Sequence, residues 1–256
     1  MALFVKFIDS IAKDADQWEA LEAIMDLRAE LLVCHALNGV DMTLEQAIEL
    51  VRKQEGLTAN EEVKRNIVLA AIDNLVDFAV AEEYQMSMEL PEFDPEDYDE
   101  DELEDVFEKY NKRYAEVENS DAEYAMIIAA GLMYVSDTTI LTYMTQGDER
   151  VRPWHLQYEG FSAPKSQFPA WLIPPIEHQC RCYLVEDSVS NKINDVNNAI
   201  VRIPAMPDWF NPTFKESVAL GGKIFSDEHP YFTIDSRHSD KLHEISKRIK
   251  TKYMNG

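Results

Sequence analysis

The densest group of chemically reactive side chains in this sequence lies between residues 145 and 182. It contains Asp-Glu-Arg-Val-Arg-Pro-Trp-His at positions 148–155 and His-Gln-Cys-Arg-Cys at positions 178–182. A buried core would be mostly aliphatic, and an ordinary surface would rarely place Trp, His and Cys so close together. The sequence therefore predicts that this segment carries the function.

Cys180 and Cys182 are separated by one residue, so on a β-strand both thiols would lie on the same face. His178 would share that face, and His155 or His229 would complete a mixed His/Cys ligand set of the kind that zinc accepts. The spacing is shorter than in zinc fingers, and free cysteines are often simply small buried hydrophobic residues. Zinc binding by His155, His178, Cys180 and Cys182 and a purely apolar role of the two thiols both stay open.

Arg150 and Arg152 would also share one face of a strand. Paired guanidinium groups bind carboxylates, phosphates or carbonyl oxygens, so one interpretation is a clamp on an acidic partner or a phosphate. The other is an internal ion-pair scaffold with Asp148, Glu149 or Glu159, which would fix the loop that carries the tryptophan and the histidine. We favour the scaffold because acidic residues alternate with the arginines.

A cysteine-nucleophile triad is conceivable in the same segment. His155 would act as the base, Cys180 or Cys182 as the nucleophile and Asp148 as the orienting acid. We find no glycine-rich oxyanion loop beside them, and the Walker A, His-Glu-x-x-His and Gly-x-Ser-x-Gly motifs are absent. The sequence therefore predicts no catalytic residue, and a Cys/His hydrolase or transferase is kept as the alternative.

The order of these residues resembles the Mu F-like (head morphogenesis) family of minor head proteins of tailed phages. A second string, Phe-Ser-Asp-Glu-His-Pro-Tyr at 225–231, is similar to the segment that closes the domain in many members. The positions that carry the resemblance, called the signature residues below, are Thr145, Asp148, Arg150, Arg152, His155, Gly160, Pro174, Pro175, Cys180, Arg181, Cys182 and His229.

The resemblance implies a structural minor head protein inside the capsid, associated with the portal vertex and involved in head assembly, DNA packaging or DNA ejection. It implies the portal protein and other inner-capsid proteins as partners, with packaged DNA contacted weakly or indirectly and no membrane contact. The expected location is the virion, after a stage in the host cytoplasm, and no cofactor is expected apart from the zinc considered above. Two alternatives are a toxin-like effector that uses His155, Cys180 and Cys182, and a DNA-contacting ejection protein.

The formal net charge of −24 is concentrated in the first half of the chain. Residues 1–128 contain 33 acidic and 10 basic residues, whereas residues 129–256 contain 15 and 14. An acidic half repels phosphate backbones and is compatible with docking on a basic protein surface. A helical domain that is kept soluble by its charge would show the same asymmetry. The sequence has no apolar run long enough to predict a membrane-spanning helix.

Helical patterns dominate the first half. Apolar spacing predicts a helix over 16–37 that Gly39 ends, and Thr43, Thr58 and Ser120 each begin a capping box that should open a helix. The first of these helices should end near Gly56. The acidic stretch 89–105 is predicted to be a solvated loop that runs into a helix over about 101–117. The residues predicted to face inward after Thr58 are Val63, Ile67, Ala70, Ala71, Leu75 and Phe78.

The second half of the chain has a different sequence pattern. Residues 138–144, 181–185 and 198–203 and the surroundings of Phe225 favour strands, and 239–253 favours a basic amphipathic helix. That helix could touch DNA, although a solvated helix face is the simpler interpretation. The sequence therefore predicts an α+β protein. Its acidic all-helical region (1–118) would be followed by a smaller mixed α+β Mu F-like domain (119–256).

Overall fold

The computed structural model describes residues 2–12, 17–91, 100–187 and 203–254. Helices predominate, and three short strands form one antiparallel sheet, so the predicted α+β class is confirmed. The helices are α1 (Ala2–Ala12), α2 (Gln17–Asn38), α3 (Leu44–Arg52), α4 (Ala59–Glu89), α5 (Glu100–Glu108), α6 (Ala115–Leu132), α7 (Pro153–Leu156) and α8 (Ser236–Met254). The strands are β1 (Ile140–Met144), β2 (Ser162–Pro164) and β3 (Tyr183–Asp187), and a π-helical segment, Lys109–Tyr114, joins α5 to α6.

Two of the three predicted capping boxes are confirmed. The Thr43 hydroxyl accepts a hydrogen bond from the Gln46 amide, and the Gln46 side chain accepts one from the Thr43 amide. Thr58 and Glu61 repeat this reciprocal arrangement at the start of α4. Each box satisfies amide donors that have no partner within the helix. The predicted end of α3 near Gly56 is four residues too late, because the helix already ends at Arg52.

The third predicted capping box, at Ser120, is wrong. Ser120 lies inside α6, which continues the helical run of α5 and the π-helical segment, so its neighbouring amides are already paired along the helix. The predicted helix over 101–117 exists but runs on to Leu132. Of the predicted acidic loop, residues 92–99 lie outside the described part of the chain, and its first residue, Glu89, still belongs to α4.

Helix α2 packs against both α4 and α6 and forms the centre of the helical core. Gly39, directly after α2, allows this close approach, since a Cβ there would lie 2.4 Å from the Glu123 carbonyl oxygen. Among the adjacent small residues of α6, Ala129 is fully buried, whereas Gly131 has open space beside it. On α4 the predicted inward residues Ile67, Ala71, Leu75 and Phe78 are buried, whereas Val63 is 40% exposed.

Helix α8 packs on α3 and α4 and buries its predicted apolar face, Leu242, Ile245 and Ile249, together with Tyr253. Its basic residues pair with acidic residues of the first half of the chain. Arg248 forms a 2.6 Å ion pair with Glu22, and Lys250 lies 2.7 Å from Asp77. Lys247, Arg248 and Lys252 are exposed, so the predicted solvated face is confirmed, and the ion pairs on it also neutralise carboxylates of the neighbouring helices.

The sheet has the order β2-β1-β3, with both pairs antiparallel. The alternate β1 residues Leu141 and Tyr143 are fully buried, as a strand with one covered face requires. Strand β1 confirms the strand expected over 138–144, and β3 begins two residues later than predicted. Phe225 is buried outside any strand, so that expectation is wrong, and residues 198–202 lie outside the described residues.

The predicted domain boundary at residue 118 falls inside α6 and stays a prediction. Side chains from both sides of it share one core. Phe78 of α4 stacks on Phe225 with ring centroids 4.2 Å apart. The Asn74 side chain bonds the backbone of residues 224 and 225.

A buried charge cluster joins α2, α4 and α6. Arg28 donates to Glu82 at 2.7 Å, to Glu118 at 2.8 Å and to the Asn119 side-chain oxygen at 2.7 Å. Glu83 lies beside this group, so one guanidinium faces three buried carboxyl groups. Burial raises the pKa of Glu83 to about 7, and the attraction of Arg28 offsets only part of that cost. A proton on Glu83 therefore reduces the excess of negative charge around Arg28.

Because burial raises the pKa of Glu83 to about 7, the stability of the protein should depend on pH. An unfolded glutamate titrates near 4.3, so between about pH 4.5 and 7 the folded chain binds more protons, and its stability falls as pH rises. Glu83→Gln should reduce this slope and stabilise the protein above pH 7 by up to about 3 kcal/mol, at about 1.4 kcal/mol per pKa unit. Urea unfolding at several pH values measures the effect.

The exposed Glu62→Gln on the same helix is the matched control, because it removes the same charge far from Arg28. Burial also raises the pKa of Glu82 and Asp121, so a smaller slope should persist in Glu83→Gln. An unchanged slope in Glu83→Gln would contradict the assignment of the proton to Glu83.

Candidate functional site

The signature residues between 145 and 182 come together where two chain segments lie side by side. One segment runs from the end of β1 through α7, and the other leads from the Pro174-Pro175 pair, whose peptide bond is cis, into β3. The Gln146 side chain donates to the Arg181 carbonyl at 2.9 Å, and Arg152 donates to the His178 carbonyl at 2.9 Å. These bonds fix the register of the two segments.

Asp148 and Arg181 form a bidentate ion pair across the segments. The two guanidinium nitrogens lie 2.9 and 2.8 Å from the two carboxylate oxygens. This hydrogen bonding, together with the Arg150 amide, holds the pKa of Asp148 below its usual range. An internal ion pair is therefore present, but it differs from the predicted scaffold, because Asp148 binds Arg181, the arginine between the cysteines, and not Arg150 or Arg152.

Arg150 and Arg152 do not lie on a strand, which corrects the prediction that they share a face. Residues 148–151 form a turn, and Arg152 directly precedes α7. The Arg152 Nε atom lies 3.4 Å from the Glu177 carboxylate. Arg150 lines a separate open groove of about 760 Å³ beside α6. The two guanidinium groups therefore have different neighbours, although both arginines also border a cavity of about 20 Å³ beside His155 and Cys182.

Thr145 and Gly160 shape the loop around α7. Thr145 is buried and donates its hydroxyl hydrogen to Glu159. Gly160 adopts a φ of +81°, a conformation that costs little without a Cβ, and its amide bonds the Tyr143 carbonyl at 2.8 Å. The chain can thereby turn from α7 back toward β2 and place α7 over the two cysteines.

His178 is tied to α6 and lies apart from the two thiols. Its Nδ1 atom is 2.8 Å from one Asp121 carboxylate oxygen, and the other oxygen accepts the Gln179 amide at 2.6 Å. His178 and Gln179 lie in a turn, with a φ of +57° at Gln179, and residues 180–182 precede β3, so residues 178–182 do not form the strand on which a shared face would depend. The expectation that His178 shares a face with the cysteines fails for this reason.

His229 also lies away from the thiols, in the aromatic core behind His178. Its Nδ1 accepts the Tyr231 amide at 3.2 Å, and its ring lies 4.9 Å from that of Phe78. Burial lowers the pKa of His229 to about 4, so the ring is neutral. The residue therefore supports the fold of the segment that follows Phe225.

His155, Cys180 and Cys182 form a compact buried cluster. The His155 Nδ1 atom is 3.3 Å from the Cys182 sulfur and 4.0 Å from the Cys180 sulfur. All three candidate ligand atoms lie within 4.8 Å of one another. The residues are 2%, 4% and 3% exposed, respectively. Of the four zinc ligands predicted, three are thus brought together.

Neighbouring groups orient this cluster. The other nitrogen of His155, Nε2, lies 3.2 Å from the Glu177 carboxylate, which also accepts the Trp154 indole N–H at 3.0 Å. Tyr124 donates to the Cys182 carbonyl at 2.6 Å. The Tyr143 hydroxyl is fully buried and has no hydrogen-bond partner among the described residues.

The two thiols differ in acidity. Hydrogen bonding from Cys180 lowers the pKa of Cys182, with further contributions from Tyr143, Arg152 and Arg181. The same thiol–thiol contact, together with burial, raises the pKa of Cys180. Cys182 is therefore the thiol that loses its proton first.

The order Cys182–His155–Glu177 has the connectivity of a nucleophile, a base and an orienting acid. Asp148, the acid predicted for this role, is bound to Arg181 instead. The cavity that borders both His155 and Cys182 measures about 20 Å³, which is room for one water molecule, although Cys180 also borders the open groove of about 760 Å³ beside α6. The geometry therefore favours a buried ligand cluster over a nucleophilic site.

An aromatic hollow of about 340 Å³ lies on the outer side of His155. Trp154 and Trp209 border it with ring centroids 6.2 Å apart, and both are substantially exposed. Trp209 was not predicted as part of the site, and neither were Glu177, Tyr143 and Asp121. Their proximity arises from the fold, and spacing in the sequence gives no signal for it.

Among the described helices, none combines the length and apolar character that crossing a membrane requires. Comparison of the chain with protein-family models, with curated proteins and with solved structures finds no match in any of the three.

Proposed function

We propose that this chain is a structural minor head protein of a tailed phage that binds at the portal vertex. Its role would lie in head assembly, DNA packaging or DNA ejection. The observation that supports this best is that the signature residues between 145 and 182 contact one another or a shared set of neighbours. Mutual contacts of this kind suit a scaffold that fixes a loop, although Arg150, Cys180 and Arg181 also line the open groove beside α6.

Three charged signature residues, Asp148, Arg152 and Arg181, use their charges within the molecule, whereas Arg150 lines an open groove. Asp148 is bound to Arg181, and Arg152 is bound to the Glu177 carboxylate and the His178 carbonyl. Guanidinium groups that are engaged in this way do not form a pair directed at phosphate. This arrangement favours a structural role for the charged residues.

The surface offers two candidate regions for docking. The first, called the acidic face below, comprises α3, the loop after it and the start of α4, where Glu49, Glu55 and Glu62 are exposed beside Arg52 and Lys53. The second is the Trp154–Trp209 hollow, and tryptophan is enriched among the residues that dominate binding energy at interfaces. We infer that the acidic face meets a basic surface of the portal or an inner-capsid protein, since complementary charge raises association rates.

Affinity capture from infected-cell lysate tests the proposal. The tagged chain should recover portal and capsid subunits, identified by mass spectrometry. A variant with Glu49→Lys, Glu55→Lys and Glu62→Lys should lose most of this recovery, because reversed charge repels a basic partner. A variant with Trp154→Ala and Trp209→Ala is the comparison, and equal melting temperatures exclude unfolding as the cause.

Recovery without portal or capsid subunits would contradict the minor-head assignment. If only the tryptophan variant loses recovery of portal and capsid subunits, the minor-head assignment is kept, and the docking surface is the Trp154–Trp209 hollow. A DNA-contacting role is less favoured, because Arg248 and Lys250 of the basic helix α8 are paired with carboxylates. Steeply salt-dependent binding to DNA would support the DNA-contacting role.

A further inference from the structure

The distances within the His155–Cys180–Cys182 cluster match a tetrahedral metal site. With Zn–S bonds of about 2.3 Å and Zn–N bonds of about 2.0–2.1 Å, tetrahedral angles place nitrogen and sulfur ligands about 3.6 Å apart. The observed separations from the His155 Nδ1 atom to the two sulfurs are 3.3 and 4.0 Å, on either side of this value. A small shift of side chains would therefore seat an ion equally between the three atoms.

The neighbours of His155 suit its role as a ligand. If Nδ1 binds a metal ion, the proton of the neutral imidazole resides on Nε2, where the Glu177 carboxylate accepts it at 3.2 Å. Histidine ligands of metals usually donate their second ring N–H to a carboxylate or a carbonyl group. Glu177 is itself held by the Trp154 indole and lies near Arg152, so the ring orientation is fixed from outside the cluster.

The charges of the Cys180 and Cys182 thiolates and the unpaired Tyr143 hydroxyl also fit a divalent ion. Two thiolates and one Zn²⁺ sum to zero, which avoids the large cost of burying a net charge. Binding would release two thiol protons to solvent, and the Cys182 thiolate would become a strong acceptor beside the Tyr143 hydroxyl. That hydroxyl otherwise stays buried without a partner among the described residues.

We propose that His155, Cys180 and Cys182 bind one zinc ion that cross-links α7 to the segment before β3. The fourth position belongs to a water molecule in the cavity of about 20 Å³ that His155 and Cys182 border. The ion stabilises the loop that carries the signature residues. This inference stands on the geometry of the cluster and does not depend on binding at the portal.

Metal analysis of the purified full-length chain tests the site. The chain prepared under reducing conditions should contain one zinc ion, released when a mercurial reagent blocks the thiols. Cys180→Ser and Cys182→Ser should each lose it, whereas Cys34→Ser should keep it, because Cys34 lies on α2 away from the cluster. Cobalt substitution should give the intense visible absorption of tetrahedral Co²⁺ with thiolate ligands.

A second variant separates a metal site from a purely structural contact. Glu177→Gln should weaken zinc binding about 10- to 100-fold, as other changes to the partner of a ligating histidine do. A chelator should lower the melting temperature of the unmodified chain and leave that of Cys182→Ser unchanged. These measurements on the unmodified chain decide the question even where a serine variant fails to fold.

Three results would overturn the proposal. The first is a folded chain that contains no zinc and takes up neither Zn²⁺ nor Co²⁺. The second is a disulfide between Cys180 and Cys182 in the native protein, seen by mass spectrometry without reductant. The third is fast alkylation of Cys182 in the metal-free folded chain, prevented by His155→Asn, which would favour a nucleophilic role.

Discussion

Replacing Arg28 with alanine should lower the free energy of unfolding by about 3–5 kcal/mol, the range observed when one partner of a buried ion pair is removed. The Arg28 side chain is almost completely buried and bonds Glu82, Glu118 and Asn119. Without it, the carboxyl groups of the cluster would have no buried positive charge to offset the cost of leaving water. Urea or thermal unfolding measures the loss.

The pH dependence of this loss gives a second readout. At about pH 5 the carboxyl groups of the Arg28→Ala variant can take up protons and become neutral, so the variant should be less destabilised there than at pH 8. Arg248→Ala is the matched control, because its ion pair with Glu22 is largely exposed and such pairs contribute about 0–1 kcal/mol. An Arg28→Ala variant as stable as Arg248→Ala would contradict the importance of the buried cluster.

Local signals in the sequence predicted helix starts only where the preceding residues interrupt a helix. Thr43 follows a turn after Gly39, and Thr58 follows Gly56, which has a φ of +71°. Ser120 has the same motif, but no glycine or proline lies between it and the start of α5. The helix therefore continues through the motif, and Asp121 is left to bind His178 and Gln179.

The candidate site was predictable in its residue types but not in its pairings. The sequence identified His155 and both cysteines as candidate ligands, and these three residues do cluster. The sequence also placed His178 among the candidate ligands, on the assumption that residues 178–182 form a strand. The conformation of residues 178–182 depends on Asp121, which lies 57 positions before His178. Spacing along the chain contains no information about such a contact.

Buried polar residues were the largest gap in the sequence-based prediction of the core. Apolar periodicity correctly placed Ile67, Ala71, Leu75 and Phe78 of α4 in the interior. Asn74 interrupts that pattern, and a polar residue in a helix is expected to face solvent. It is instead buried, because the chain segment after residue 203 crosses α4 at this position and needs partners for its backbone.

Asn74→Ala should accordingly destabilise the protein by about 3–4 kcal/mol, since it leaves several buried backbone groups unpaired. The Asn74 oxygen accepts the amides of Ile224 and Phe225, both at 2.9 Å, and its nitrogen donates to the Phe225 carbonyl at 2.8 Å. Hydrogen exchange at these two amides should accelerate together with the loss of stability. Denaturant unfolding gives the size of the effect.

Asn66→Ala is the matched control, because Asn66 is exposed on the same helix and its replacement should change stability by less than about 0.5 kcal/mol. The bridge from Asn74 holds the segment whose Phe225 and His229 rings pack beside Phe78. That segment also contains Phe214, whose ring lies 4.9 Å from that of His178. Loosening this segment should therefore also destabilise the loop that carries the signature residues between 145 and 182. Equal stability of the two variants would show that apolar packing alone holds this segment on α4.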